Sequence, residues 1–132
     1  MRVVLDTNVL IAAFSARGLC AEVFEVCLEG HDIVISEHIL SETKKNLLDK
    51  IHLPHIVVQE IIEYLRGVTE AVEPAVIDKR VCRDKNDDKI IGTALGGKAD
   101  FIITGDKDLL VLKKYKGIKI VTPREFWKHL RG

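Results

Sequence analysis

Four acidic residues stand where their chemistry would matter: Asp6, Glu42, Asp88 and Asp106. Asp6 directly follows the apolar run Val3-Val4-Leu5, and Asp106 comes just after Phe101-Ile102-Ile103-Thr104 and one glycine. If those runs are strands of an open α/β sheet, both acids lie beyond carboxyl ends, where the connections diverge and sites form. Asp88 falls in the first turn of a helix that precedes the second run. Glu42 flanks the apolar stripe Ile39, Leu40, Thr43 and Leu47 of another helix, so it can face the same edge. Carboxylates gathered this way repel one another unless a cation neutralises them. Mg²⁺ and Mn²⁺ prefer oxygen ligands and keep room for water and phosphate. Bound there, one or two such ions polarise a phosphodiester, activate a water and stabilise the leaving oxygen. The chemistry that suits an oxygen-only site is phosphodiester hydrolysis. The ordinary alternative is helix capping, since a chain with twenty acids places some after strands by chance.

The elements that must position these acids read as strands alternating with helices. Strands are expected at Val3–Leu5, Ile33–Ile35, Phe101–Thr104 and Ile118–Val121, with 68–72 either strand or irregular. Helices are expected at Val9–Phe14, Ala21–Glu29, from an N-cap at Ser36 to Asp49, His55–Arg66, Asp87–Leu95 and Pro123–Leu130. Gly30 and Gly67 are read as helix ends, Gly30 in a left-handed conformation. Asp84 and Asp87 flank the site, and Asp87 is read as the N-cap of its helix ahead of a ligand role. This alternation predicts a three-layer α/β/α domain spanning 1–132 around a mostly parallel sheet of about five strands.

Composition narrows the class. Apolar residues are 47% and charged residues 30% of the 132, with no apolar run long enough to span a bilayer and no secretory leader at the start. Cys20, Cys27 and Cys82 have no metal-ligand spacing and read as small reduced thiols, which suits a cytoplasmic protein. Twenty basic and twenty acidic residues cancel, which excludes a surface basic throughout but not a local groove. Lys79-Arg80, Arg83, Lys85 and Lys89 form a candidate cationic rim near Asp88; Arg83, Lys85 and Lys89 are candidate contacts to a phosphate backbone, against the plainer reading of a solvated face. Lys113-Lys114-Tyr115-Lys116 reads as a basic loop. Seven aromatics advertise little base stacking, which favours recognition through backbone and shape. On the helix from 55 to 66, the apolar residues Ile56, Val57, Ile61, Ile62 and Leu65 serve either core packing or a partner-binding groove.

Three motifs taken in order narrow the reading further: VVLDTNVLIAAF at the start, DDKIIGTALGGKADFIITGDKDLL in the middle, and VTPREF near the end. Together they resemble PIN-domain proteins, and more narrowly the VapC-like toxins of toxin–antitoxin pairs. The similarity covers nearly the whole chain and is weakest between about 50 and 80. The resemblance implies an Mg²⁺- or Mn²⁺-dependent ribonuclease, usually a homodimer, inhibited by a small cognate antitoxin. By position it implies that Asp6, Glu42, Asp88 and Asp106 are the four site acids. Asp108 is an alternative to Asp106, and Asn8 and Thr104 are accessory polar residues. In that scheme Asp6, Asp88 and Asp106 hold the metal, and Glu42 binds it through water or positions the attacking water.

Rival readings fare worse. A receiver-type signalling domain requires a paired acid by the first strand and a Lys after the last, where this chain has Asp6-Thr7-Asn8 and Thr122-Pro123-Arg124. A haloacid-dehalogenase phosphatase requires an acid at position 8, which is Asn. A non-catalytic RNA-binding subunit would not need four acids. Within the nuclease reading, a housekeeping RNA-processing role is the alternative to a toxin.

Overall fold

Three apolar triplets form the centre of the sheet: Val3-Val4-Leu5, Ile33-Val34-Ile35 and Phe101-Ile102-Ile103, every one of them buried. Successive side chains in a strand point to opposite faces. Burial of all three in each triplet therefore requires helices on both sides, which makes three layers. The structure is a computed structural model and describes residues 1–77 and 85–131.

The chain runs β1 (Arg2–Leu5), α1 (Thr7–Ser15), α2 (Leu19–Gly30), β2 (Asp32–Ile35), α3 (Glu37–Asp49), α4 (His55–Val68) and β3 (Glu70–Ala71). It continues through α5 (Lys85–Gly96), β4 (Phe101–Ile103), α6 (Lys107–Leu110), β5 (Lys114–Tyr115), β6 (Ile118–Val121) and α7 (Pro123–Arg131). The strand order is β3-β2-β1-β4-β6-β5, parallel except for β5, which runs antiparallel to β6. Registers Val4↔Val34 and Val4↔Ile102 place the ends of β1, β2 and β4 level, so the residues after them meet at one edge.

The α/β architecture matches expectation; the details differ in instructive places. The sheet has six strands among the described residues, because Lys114–Tyr115 is a strand and not a loop. Lys116 and Gly117 both have positive φ, 46° and 86°, and close a two-residue hairpin between Tyr115 and Ile118. A turn of that kind needs positive φ at both central residues, and Gly117 supplies one without steric cost. The ambiguous 68–72 segment contributes Glu70–Ala71 as an edge strand on β2. Gly30 stays within α2, whose cap is His31 in an extended conformation, so no left-handed glycine ends it. Gly67 likewise lies inside α4, which runs to Val68. Ser36 does cap α3, accepting from the Ile39 amide. The helix containing Asp87 starts at Lys85, so Asp87 is within its first turn and is not its N-cap.

Helix α4 divides its apolar residues between two tasks. Val58, Ile62 and Leu65 are buried, while Ile56, Val57, Tyr64 and Val68 are exposed. Helix α5 lies close to the 73–75 segment because Gly92 and Gly96 face it. A Cβ at Gly92 would sit 2.7 Å from the Ala75 carbonyl oxygen, and one at Gly96 2.2 Å from that of Glu73. The Ala75 amide donates to the Gly92 carbonyl at 2.8 Å, which fixes that segment along the helix. Among the described residues no helix is long and apolar enough to cross a membrane. Cys20 and Cys27 are free thiols, and burial pushes the Cys27 thiol up to about 12.

Candidate functional site

Asp6 ends β1 and begins α1, and both of its carboxylate oxygens are held from within. Oδ1 accepts from the Thr7 amide at 2.7 Å, which makes Asp6 the N-cap of α1. Oδ2 accepts from the Thr104 hydroxyl at 2.6 Å. Thr104, fully buried after β4, turns its hydroxyl oxygen to the Asp106 amide as well, accepting at 2.9 Å. One threonine thus connects the first acid to the last. Asp106 in turn caps the short α6, its Oδ1 accepting from the Asp108 amide at 2.9 Å.

Around Asp6 the structure gathers a small cleft of about 110 Å³. It is lined by acids from four different elements, namely Asp6, Glu42, Asp87 and Asp106, together with Asn8 and His38. Asn46 and Asn86 complete the polar wall. His38, Glu42 and Asn46 are four residues apart along α3, so they fall on one helical face. That face turns into the cleft. Its phase is set by Ile39, Leu40, Thr43 and Leu47, which are the buried residues of α3.

Asp88 is placed elsewhere. It lines the neighbouring cavity with Lys85 and Lys89, while Asp87, nearly buried, occupies the cleft. The reason is helical phase: Ile90, Ile91 and Ala94 form the buried stripe of α5, and Asp87 is three, four and seven residues before them. Asp88 is rotated about 100° away from it. One carboxylate oxygen each from Asp87, Asp106 and Asp108 lie within 4.8 Å of one another. Asp106 and Asp108 thus lie side by side at this edge. Arg83, Asp84 and Cys82, with Lys79 and Arg80, lie outside the described residues.

Electrostatics explain what such a cleft demands. Burial pushes the Asp6 carboxyl above the usual range, and nearby Asp106 adds to the rise; the Thr104 and Thr7 hydrogen bonds oppose it. His38 is pushed below its ordinary value by burial and by Lys89, against Glu42 and Asp6. Hard divalent cations fit this set. The carboxylate donors are all oxygens, and those of Asp87, Asp106 and Asp108 lie close enough together to share one such ion.

The sequence profile of the PIN domain matches residues 2–108. The chain belongs to the PIN-domain family. The matched stretch of the PIN domain includes every acid of the cleft and Asp108. An uncharacterized protein of Methanocaldococcus jannaschii is 31% identical over 147 aligned positions, covering 96% of this chain and 89% of that one. Among solved structures, a chain of VapBC-1 from nontypeable Haemophilus influenzae superposes with a TM-score of 0.66 at 19% identity, covering 94% of this chain and 99% of that chain. A chain of VapBC2 from Rickettsia felis, bound to a DNA fragment from their promoter, gives 0.63 at 15% identity, covering 91% and 97%. At those identities the likeness is one of fold, and it is the fold that the sequence motifs implied for a PIN domain.

Proposed function

We propose that the chain is a metal-dependent endoribonuclease and the toxin of a toxin–antitoxin pair. The observation that carries the reading is the cleft in which Asp6, fixed by Thr104 and Thr7, converges with Glu42, Asp87 and Asp106. Burial and the neighbouring Asp106 disfavour the charge on Asp6, and a bound cation would relieve that cost. Mg²⁺ or Mn²⁺ is the cation of choice for an oxygen-only set.

Asp6, Asp87 and Asp106 would hold the ion, with Asp108 beside them; Asp87 takes the role the sequence motif suggested for Asp88. When bound, the cation supplies Lewis-acid stabilisation of charge on the phosphate and the leaving oxygen. Glu42, half-buried on α3, orients the attacking water. Asn8, at the exposed mouth of the cleft, offers an amide to a substrate phosphate. In the step itself, the water oxygen bonds to phosphorus as the P–O3′ bond breaks. Glu42 receives the water proton, and the departing 3′ oxygen takes one from solvent. The products are a 5′-phosphate and a 3′-hydroxyl.

The toxin role draws on fold kinship with chains of VapBC complexes and on the exposed apolar face of α4, which suits a second copy or an antitoxin helix. Free thiols at Cys20 and Cys27 suit a reducing cytoplasm. A housekeeping nuclease would share the site but not arrest growth when expressed without a partner.

The deciding experiment is cleavage of end-labelled single-stranded RNA with Mn²⁺, with Mg²⁺ and with chelator, wild type beside Asp6→Asn. Metal-dependent cleavage lost in the variant sustains the reading. Equal cleavage by both proteins overturns it.

A further inference from the structure

Next to the acid cleft lies a second, larger cavity of about 400 Å³. One wall is the apolar segment Pro74-Ala75-Val76-Ile77, and its rim carries Lys85, Asp88 and Lys89 from the first turns of α5, a net positive set. His38 is the partition, since its side chain lines both cavities. Three observations make this more than a surface dent. Val76 keeps 92% of its surface exposed although the neighbouring Ala75 amide anchors the segment to α5. The two lysines are one turn apart on the same helix and stand beside that apolar wall. Most tellingly, His38 Nε2 is shielded from solvent and has no hydrogen-bond partner among the described residues. Folded proteins seldom leave such an atom unsatisfied unless something they bind completes it.

We infer that this cavity is a nucleoside subsite, seating the nucleotide adjacent to the scissile phosphate of a single-stranded RNA. The apolar segment covers one face of the base, Lys85 and Lys89 take the flanking phosphate, and His38 Nε2 hydrogen-bonds the ribose 2′-hydroxyl. The volume suits a group of this size. The order of parts also matches a nucleotide strand: the reacting phosphate in the acid cleft, the sugar at the partition, the base beyond it. A contact to the 2′-hydroxyl is what lets a protein tell RNA from DNA. The inference rests on the proposed nuclease function for the identity of the polymer and for calling the adjoining phosphate scissile.

Two binding assays test it without reading cleavage. In the first, a single-stranded RNA dodecamer containing 5-iodouridine is irradiated with the Asp6→Asn protein in Mn²⁺. Attachment to the peptide carrying Pro74–Ile77 is expected, and attachment confined to other peptides overturns the subsite. In the second, fluorescence anisotropy compares that RNA sequence with its DNA counterpart. Val76→Asp is expected to weaken RNA binding tenfold or more without lowering the melting temperature, because the side chain is exposed. His38→Ala is expected to bring the RNA-to-DNA affinity ratio close to one, and His38→Gln, which keeps a nitrogen near the Nε2 position, to restore most of it. Unchanged RNA affinity in Val76→Asp, or an RNA-to-DNA ratio that His38→Ala does not move, overturns the inference. A chain that passes both assays yet hydrolyses no RNA leaves the subsite standing and removes the nuclease function alone.

Discussion

The two ends of the same sheet treat charge in opposite ways. At the amino ends of the strands, Arg2 donates to the Gly97 carbonyl at 2.7 Å and forms an ion pair with Glu70, while its own amide donates to Asp100 at 2.9 Å. Hydrogen bonding to Arg2 holds the Glu70 carboxyl below its usual range. Opposite charges meet in solvent, and both are stabilised as ions. At the carboxyl ends, Asp6 is buried beside Asp106 and its carboxyl is pushed the other way. The strands are identical at both ends; what differs is whether the connections bring in opposite charges or like ones. On the proposed function, the cleft that collects the acids is where a cation would bind. The pairs at the other end only tie elements together.

The sharpest way to break this contrast is to remove charge from the cleft. Asp6→Asn is expected to lower metal-dependent RNA cleavage by roughly 10²–10³-fold, the scale of losing one preorganised electrostatic group; initial rates at saturating Mn²⁺ check it. Asp87→Asn should behave similarly, and Asp88→Asn should cost at least tenfold less, because only Asp87 faces the cleft. Comparable losses in the two variants would mean that the phase of α5 at the site is wrong. Thr104→Val keeps the volume but removes the hydroxyl joining Asp6 to Asp106. Metal affinity measured by calorimetry is expected to fall about 10–100-fold, as for other residues that orient ligands.

Stability should also separate the two ends. The native Asp6 carboxyl binds its proton more tightly than the ordinary value near 3.8 allows. Its contribution to stability is therefore complete below that value and is lost as pH rises through the higher native value. In chelator at pH 7, Asp6→Asn is expected to melt above wild type, by several degrees if the relief is about 1 kcal/mol. Mn²⁺ should raise the wild-type melting temperature and narrow or reverse that gap. At the opposite end, Arg2→Ala should leave cleavage within about twofold and shift melting by only a degree or two, since exposed ion pairs contribute little.

Much of this was legible in advance, and the limits have a physical cause. Uninterrupted apolar runs at Val3–Leu5, Ile33–Ile35 and Phe101–Ile103 announce a parallel sheet covered on both faces, and Asp6 and Asp106 follow two of them directly. The 38–42–46 spacing on α3 was equally readable, so His38 and Asn46 could have been found beside Glu42. Asp87, read first as an N-cap and second as a ligand, lines the cleft where Asp88 was expected. Taking the helix to begin at 87 instead of 85 hid that Asp87 shares a face with Ile90, Ile91 and Ala94. The α6 turn and the β5 hairpin were missed because four- and two-residue elements are too short to show a period.

By itself, then, the sequence determined the layers, the order of the elements and the edge at which the acids gather. Those follow from which residues are apolar and how often they recur. The tertiary structure alone decided which of two adjacent aspartates enters the cleft, that Thr104 bridges Asp6 and Asp106, and that His38 stands between two cavities. Periodicity says which residues share a face. Only packing against neighbouring elements says where that face points, and a helix turned by one residue moves a carboxylate through about 100°.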